Sequence, residues 1–446
     1  MKALTSHSVQ SLAGTTQVSG DKSISHRALI LGALAVGETE ITGISRGEDV
    51  AATESALRQL GVEIKVRNST ARTVFGCGVG GFHEPSSVLD LGNSGTGVRL
   101  LMGAVASTSI TTHFTGDASL SLRPMKRVVI PLEKIGSEIT ARNDGFLPLI
   151  IRGATTPIPI DYTLPVASAQ VKSAILLAAL NTPGRTTVTE PTPSRDHTER
   201  MLSHFNVPIL IDDMQYGAKK IMVEGQSELT GMPISVPGDP SSAAFLLAAA
   251  LMVPDSDITI KSVNINPLRT GFFDTLQDMG AEVQFSRKRI ECGEPVADIR
   301  IRYGELSGIE VPPERAPSMI DEFPVLGVLA SVAQGTTVMR GVSELRVKES
   351  DRISAMVIGL RKCGVSVVEF DDGFVVHGAK DSIVGGVVVS SDLDHRIAMS
   401  FLLLGMAADK PVTVSDAQTI DTSFPEFVNV MNELGAEVHP SSKAVE

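Results

Sequence analysis

GDKSISHRALILGALAVG, residues 20–37, places a lysine, a serine and an arginine at the mouth of an otherwise apolar run. The run reads as a buried helix, and Asp21 or Ser23 offers the short side-chain oxygen that caps a first turn. Capping does not account for Lys22 and Arg27, because the positive end of a helix dipole disfavours cations. An anion docked on that turn would account for both.

The same layout returns five times: a polar or Gly-rich lead-in, then an Ala/Leu-rich run. The further copies are GNSGTGVRLLMGAVAS, PVASAQVKSAILLAAL, PGDPSSAAFLLAAALMV, MIDEFPVLGVLASVAQG and DHRIAMSFLLLGMAAD, starting near 92, 165, 237, 319 and 394. Most are followed by a β-branched stretch such as TEITGI, TTVTEP, ITIKSV, TTVMRG or VTVSDA, which reads as a strand. A second helix then ends in a recurring phrase: ALRQLGVEIKV, PLEKIGSEITA, TLQDMGAEVQF, GLRKCGVSVVE and MNELGAEV. The Gly suits a helix stop, and the alternating tail opens a new strand. The chain is therefore a mixed α/β protein (α+β) built from six units of about seventy residues.

Six such units in 446 residues predict two domains of three. The break falls at VPGDPSS, whose lead-in resembles VSGDKS of the first copy. The expected division is 1–19 with 238–446 in one discontinuous domain and 20–237 in the other, with crossings near 19–21 and 236–240.

Composition limits the partners. Apolar content of 42% with 20% charged residues describes a globular chain. No apolar run reaches ~18 residues, and MKALTSHSVQ lacks the plan of a signal peptide, so no membrane role is expected. Cys77, Cys292 and Cys363 are scattered without metal or redox spacing, which fits a reducing cytoplasm. A net charge of −12 and 18 aromatic residues argue against a nucleic-acid module, which wants basic grooves and stacking platforms.

Against that acidity, the cations at the lead-ins and loops need a local reason. They are Lys22 and Arg27, Arg123 in GDASLSLRPMKR, Arg195 in PTPSRDHTER, Lys348 and Arg352 in RVKESDR, and Arg396 in DHR. A solvated surface is the ordinary reading of any one of them. Recurrence across the repeats favours an anion-binding cleft. Gly95 and Gly97 of GNSGTG would let backbone amides approach a phosphate or carboxylate, and Ser168 and Gln170 of VASAQVK repeat the theme. Two acids accompany them, Asp321 in MIDEFP and Glu349 in VKESDR. Each could hold an arginine in place or move a proton. No GxSxG elbow, Ser-His-Asp order or paired metal spacing is present.

GDKSISHRA, LGNSGTGVRL, GDASLSLRPM, SAQVKSAIL, DEFPVL, RVKESDR, DHRIAMS and TSFPEF, in this order, resemble the 5-enolpyruvylshikimate-3-phosphate (EPSP) synthase family across nearly the whole chain. GDKS, SAQVK and RDHTE look like its second sequence class, whose NxTR element here reads Asn266-Pro-Leu-Arg269. The resemblance implies two similar domains, each of three βαβαββ repeats in an inside-out α/β barrel, joined by a double-crossover hinge and closing on substrate. It implies transfer of the enolpyruvyl group of phosphoenolpyruvate to the 5-hydroxyl of shikimate 3-phosphate, on the pathway to chorismate and the aromatic amino acids. No metal or organic cofactor is expected, the enzyme is expected to be a cytoplasmic monomer, and glyphosate is expected as an inhibitor or poor binder.

Carried over by position, Lys22, Ser23, Arg27, Ser168, Ala169, Gln170, Arg195, Asp321 and Lys348 match shikimate 3-phosphate contacts. Lys22, Gly95, Arg123, Gln170, Arg352 and Arg396 match the phosphoenolpyruvate site. Asp321, Glu349 and Lys22 match the catalytic groups. Two positions depart from the family: Thr422 stands where a lysine precedes SFP, and Glu344 stands in place of Asn. The rival with the same architecture is the sister transferase acting on UDP-N-acetylglucosamine, which uses a mobile-loop cysteine.

Overall fold

The computed structural model describes residues 3–143, 145–378 and 383–441. They build six four-stranded sheets. The second repeat shows the plan without interruption. Strand Leu89–Asp90 leads into helix Gly95–Ala106, and strand Thr111–Thr115 returns parallel to the lead strand. Helix Lys126–Ile135 follows, and the hairpin Glu138–Arg142 and Phe146–Arg152 completes the sheet antiparallel. That order is βαβαββ.

The first and fourth repeats exchange their lead strands. Strand Ala13–Thr16 runs on toward helix Lys22–Leu34 yet pairs in parallel with Asp257–Asn264 of the fourth repeat. Strand Ile234–Ser235 runs on toward helix Pro240–Met252 yet pairs in parallel with Val36–Thr42 of the first. Each passage thus carries a strand of one set of three repeats into a helix of the other. Strand Leu4–His7 lies antiparallel between Val412–Ser415 and Glu437–Pro440 of the sixth repeat.

The chain divides into two compact units, Met1–Ser19 with Pro237–Arg289 and Pro295–Glu446, and Gly20–Val236 with Ile290–Glu294. The five-residue segment Ile290–Glu294, around the turn of the hairpin Gln284–Glu291 and Glu294–Arg302, groups with Gly20–Val236. Alternation along the two strands reads as one hairpin and carries no sign that its turn packs with the other set of repeats.

Each unit has its own apolar core. The Ala/Leu-rich runs are its central helices: Pro240–Met252, Phe323–Val332 and His395–Met406 in one unit, Lys22–Leu34, Gly95–Ala106 and Ala169–Ala179 in the other. Helices apolar on every side belong in the interior. Small residues let them close up: a Cβ on Gly103 would stand 2.5 Å from Ala174 Cα. The recurring phrase stops the second helix as expected. Gly61, Gly136, Gly280, Gly364 and Gly435 all lie in the left-handed region that glycine enters without penalty. The third repeat uses Asn206, at φ 65°, for the same turn.

Candidate active site

The central helices of the unit holding Gly20–Val236 begin at Lys22, Gly95 and Ala169. Each is capped by the residue before it: Asp21 accepts from Ile24 N, Ser94 from Gly97 N, and Ser168 from Val171 N. A cap takes one first-turn amide and keeps the positive end of the helix in place. Side chains tie the three starts together. Gln170 Nε2 donates to Thr96 Oγ1 at 3.0 Å. Thr53 Oγ1 fills the space beside Gly97, 2.5 Å from where a Cβ would stand. His26 Nδ1 bonds Thr53 Oγ1 at 2.8 Å, and Lys22 Nζ bonds Asp49 Oδ2 at 2.9 Å on the same neighbouring helix, Glu48–Gln59.

Arg27 is buried and held by neutral groups. Its Nε donates to Thr198 Oγ1 and its Nη2 to Ser173 Oγ, both at 2.7 Å, and its Nη1 to Ser23 O at 2.8 Å. Burial lowers its pKa to about 10, which leaves it cationic at neutral pH; Glu199, Asp21 and Glu294 support the charge and Arg195 opposes it. A guanidinium fixed by hydroxyls and a carbonyl keeps its charge available to an anion.

Beneath it, Lys172 is wholly buried, with Nζ 2.8 Å from Glu190 Oε2 and 2.6 Å from Glu199 Oε1. Burial disfavours its ammonium, but the two carboxylates raise its pKa above the ordinary lysine value. Burial pushes Glu199 up against the pull of Lys172. Lys172 adjoins Ser173 and Glu199 adjoins Thr198 in sequence, so the ion triad lies one residue away from each of the two hydroxyls that hold Arg27. Lys172 Nζ also donates to Ser194 O at 3.3 Å, next to the half-buried Arg195.

Two guanidinium groups bracket Gly95: a Cβ there would stand 2.9 Å from Nη1 of both Arg123 and Arg99. Arg123 Nη2 donates to Asn93 O at 3.1 Å, to Asn93 Oδ1 and to Ser119 Oγ at 3.3 Å. Arg99 Nη1 donates to Gly95 O at 3.1 Å and to Gln170 Oε1 at 3.0 Å.

In the other unit Arg352 opens helix Arg352–Lys362 and is 1% exposed. Its Nε donates to Asp394 Oδ2 at 2.7 Å, its Nη2 lies 2.6 Å from Glu349 Oε2, and its Nη1 lies 3.4 Å from Asp321 Oδ1. Burial opposes the charge, but the carboxylates of Asp394, Glu349 and Asp321 raise its pKa beyond the usual arginine value. Arg396 Nη1 donates to Asp321 O at 3.0 Å and lies 3.6 Å from Glu322 Oε1. Desolvation lowers the Lys348 ammonium, countered by Asp321 and Glu349. Asp321, Lys348, Glu349, Arg352 and Arg396 thus form one cluster.

Several members of these clusters were not singled out from sequence: Asp49, Asn93, Arg99, Lys172, Ser173, Thr198, Glu322 and Asp394. All but Asp49 lay inside quoted motifs, and a lysine inside the apolar run of SAQVKSAIL was the signal for Lys172. Arg269, of the NxTR element, is buried; its Nη2 donates to Ser241 Oγ at 2.9 Å and Asp239 Oδ1 at 3.3 Å, and Ser241 Oγ donates to Glu322. Thr422 Oγ1 lies 3.4 Å from His395 Nδ1 and donates to Thr419 O at 2.7 Å. Glu344 is exposed and supports the Lys348 charge. Among the described residues no group of three His, Cys, Asp or Glu could hold a metal ion, and no helix is long and apolar enough to cross a membrane.

The family model described as EPSP synthase (3-phosphoshikimate 1-carboxyvinyltransferase) matches residues 7–431. A protein of Paramagnetospirillum magneticum described as 3-phosphoshikimate 1-carboxyvinyltransferase is 54% identical over 437 residues, 98% of each chain. One of Paracoccus denitrificans with the same description is 56% identical over 427 residues, 96% of each. Among solved structures, EPSP synthase from Acinetobacter baumannii superposes with a TM-score of 0.86 at 42% identity, covering 98% of this chain and all of that one. The enolpyruvyl transferase NikO from Streptomyces tendae shares the fold, with a TM-score of 0.80 at 17% identity, covering 99% of this chain and 100% of that one.

Proposed function

The chain belongs to the EPSP synthase family, and from that membership we propose how its two clusters serve the family reaction. That reaction moves the enolpyruvyl group of phosphoenolpyruvate to the 5-hydroxyl of shikimate 3-phosphate and releases phosphate.

Lys22, Ser23, Arg27, Arg195 and the helix start at Ser168, Ala169 and Gln170 take shikimate 3-phosphate by its phosphate, with Asp321 and Lys348 on its ring hydroxyls. Gly95, Arg123, Gln170, Arg352 and Arg396 take phosphoenolpyruvate, with Lys22 shared. Arg99 joins the phosphoenolpyruvate set through its bond to Gln170 Oε1. Two polyanions repel each other in water, and charge-assisted contacts from fixed guanidinium groups offset that repulsion and orient both. The observation that carries the reading is the buried Arg27, whose three hydrogen-bond partners are all neutral.

In the addition step the 5-oxygen attacks C2 of phosphoenolpyruvate while Asp321 accepts its proton. Glu349 delivers a proton to the methylene carbon, giving a tetrahedral intermediate with a methyl group. In the elimination step the methyl returns a proton to Glu349, Asp321 gives its proton to the departing phosphate, the C2–oxygen bond to that phosphate breaks and the double bond re-forms. Lys22 neutralises the departing phosphate. Holding both reactants in register removes a share of the barrier, about 7–11 kcal/mol at the limit.

The test is phosphate release by the purified chain with phosphoenolpyruvate and either acceptor. Turnover with shikimate 3-phosphate and none with UDP-N-acetylglucosamine supports the reading; the reverse overturns it. Against the rival, Cys363 is buried, Cys77 ends strand Ala71–Cys77 and Cys292 sits in a hairpin turn. Two finer parts of the proposal are a monomeric cytoplasmic enzyme, read by light scattering and fractionation, and glyphosate as a competitor of phosphoenolpyruvate, read by titration with shikimate 3-phosphate present.

A further inference from the structure

In the unit holding Pro237–Arg289 and Pro295–Glu446, a buried acid stands before each central helix. Asp239 precedes Pro240–Met252, Glu322 precedes Phe323–Val332 and Asp394 precedes His395–Met406. Asp239 and Asp394 each cap their own first turn, accepting from Ser241 N and Arg396 N. Glu322 makes no such cap. Its side chain reaches the starts of the other two helices instead.

Glu322 Oε1 accepts the hydroxyl proton of Ser241, in the first turn of Pro240–Met252. The same oxygen lies 3.6 Å from Nη1 of Arg396, in the first turn of His395–Met406. That nitrogen also donates to Asp321 O at 3.0 Å. Both contacts of Nη1 therefore come from one dipeptide, Asp321–Glu322, and Ser241 anchors it. Among the described residues neither contact uses Nη2, which leaves that edge of the guanidinium to an anion.

A hydroxyl has a single proton, and Ser241 gives it to Glu322 while accepting from a cation. That cation is the buried Arg269, whose Nη2 donates to Ser241 Oγ at 2.9 Å and to Asp239 Oδ1 at 3.3 Å. A tight loop after strand Asp257–Asn264 delivers it. Asn266 N donates to Asn264 Oδ1 at 2.7 Å, and Leu268 N donates to Asn266 Oδ1 at 2.9 Å. Arg269 N then closes on Asn266 O at 2.7 Å. Leu268 serves this turn through its backbone N–H, so the loop forms with leucine where NxTR carries threonine. Opposite charges thus alternate along a buried path from Arg269 through Glu322 to Arg396. A buried charge is costly without its partner, so each member holds the next.

We propose that Glu322 is a positioning residue for phosphoenolpyruvate: anchored by Ser241 and Arg269, it aims the Arg396 guanidinium at the anionic groups of that substrate. The inference rests on the reading of Arg396 as a phosphoenolpyruvate contact.

The experiment measures KM for both substrates, kcat and thermal midpoint in Glu322→Gln, Ser241→Ala, Arg396→Ala and the double variant Glu322→Gln/Arg396→Ala. Glu322→Gln keeps the shape of the side chain and loses its charge. Ser241→Ala keeps the amide that Asp239 caps and removes only the anchor, so it reports even if Glu322→Gln folds poorly. Glu322→Gln should raise KM for phosphoenolpyruvate about tenfold and leave KM for shikimate 3-phosphate within about twofold, as loss of one charge-assisted contact at one substrate implies. Ser241→Ala should raise the same constant several-fold. In the Arg396→Ala background Glu322→Gln should raise it no further, because a residue that acts through Arg396 then has nothing to aim. A merely structural Glu322 would lower the thermal midpoint and add its effect to that of Arg396→Ala. An unchanged KM for phosphoenolpyruvate in either Glu322→Gln or Ser241→Ala, equal rises for both substrates, or an additive double variant would each overturn the proposal. An unchanged KM in Arg396→Ala would instead overturn the reading of that arginine, so the two failures are distinguishable.

Discussion

Asp394 binds Arg352 through Oδ2 at 2.7 Å while its Oδ1 caps the neighbouring helix at Arg396 N, 2.9 Å away. One fully buried carboxylate therefore fixes both arginines assigned to phosphoenolpyruvate in this unit. Asp394→Asn leaves the buried Arg352 with Glu349 and Asp321 as its carboxylates and weakens the cap. Removing one partner of a buried pair costs about 3–5 kcal/mol, and the two remaining carboxylates put the expected loss near the lower end. Urea unfolding should show that loss, and KM for phosphoenolpyruvate should rise at least about tenfold, as loss of one charge-assisted bond implies.

Asp321 is half-buried, and its backbone oxygen, not its side chain, holds Arg396. Asp321→Asn therefore keeps that contact and removes the proton acceptor. The expected result is a fall in kcat of about 10²–10⁴, the range for a general acid–base group, with a thermal midpoint lowered less than in Asp394→Asn, because Asp321 Oδ1 lies 3.4 Å from Arg352 Nη1. A normal kcat would remove Asp321 from the role.

Gly95 admits no side chain without moving two guanidinium groups, since a Cβ would stand 2.9 Å from Nη1 of Arg123 and of Arg99. Both are flexible ends, so Gly95→Ala should fold and displace them. KM for phosphoenolpyruvate is expected to rise about ten- to a hundredfold, the equivalent of one charged hydrogen bond, with KM for shikimate 3-phosphate changing less.

The repeat plan was legible because its signals are local. Apolar runs buried on all sides, capping Asp and Ser residues, and five glycine stops each act within a few residues of themselves. The third stop escaped because Asn206 replaces glycine there. The exchange of lead strands is a pairing between residues about 195 and 245 apart, and only the shared VSGD and VPGD phrases hinted at it. The cations were legible because they stand out in an acidic chain. Their partners were not: Thr198, Ser173 and Asp394 are ordinary residues until folding brings them within 2.7 Å of a buried guanidinium.

His26 is buried, and desolvation, then Lys22 and Arg27, hold its pKa well below the ordinary 6.5. Its Nδ1 bonds Thr53 Oγ1 at 2.8 Å. The unfolded chain binds a proton near pH 6.5 and the folded chain does not, so this contribution to stability is fully present above about 6.5 and is lost as pH falls toward the folded value. The slope for one such group is about 1.4 kcal/mol per pH unit. His26→Gln, which retains a polar atom for Thr53, should flatten the pH dependence of urea unfolding below pH 6.5, by up to that amount where the unfolded imidazole is protonated and the folded one is not. An unchanged slope would show that His26 takes up its proton in the folded state.

Lys172 separates a positioning role from mere support. Lys172→Met leaves Glu190 and Glu199 buried without their cation, a loss of about 3–5 kcal/mol in unfolding free energy. Glu199, already pushed up by burial, then holds a proton more readily. The double variant Lys172→Met/Glu199→Gln removes one of the two unpaired charges and should recover part of the stability. If the triad also sets Ser173 and Thr198 around Arg27, the double variant should keep a raised KM for shikimate 3-phosphate and a nearly normal KM for phosphoenolpyruvate. Equal changes in both constants, or none, would reduce Lys172 to a stability element.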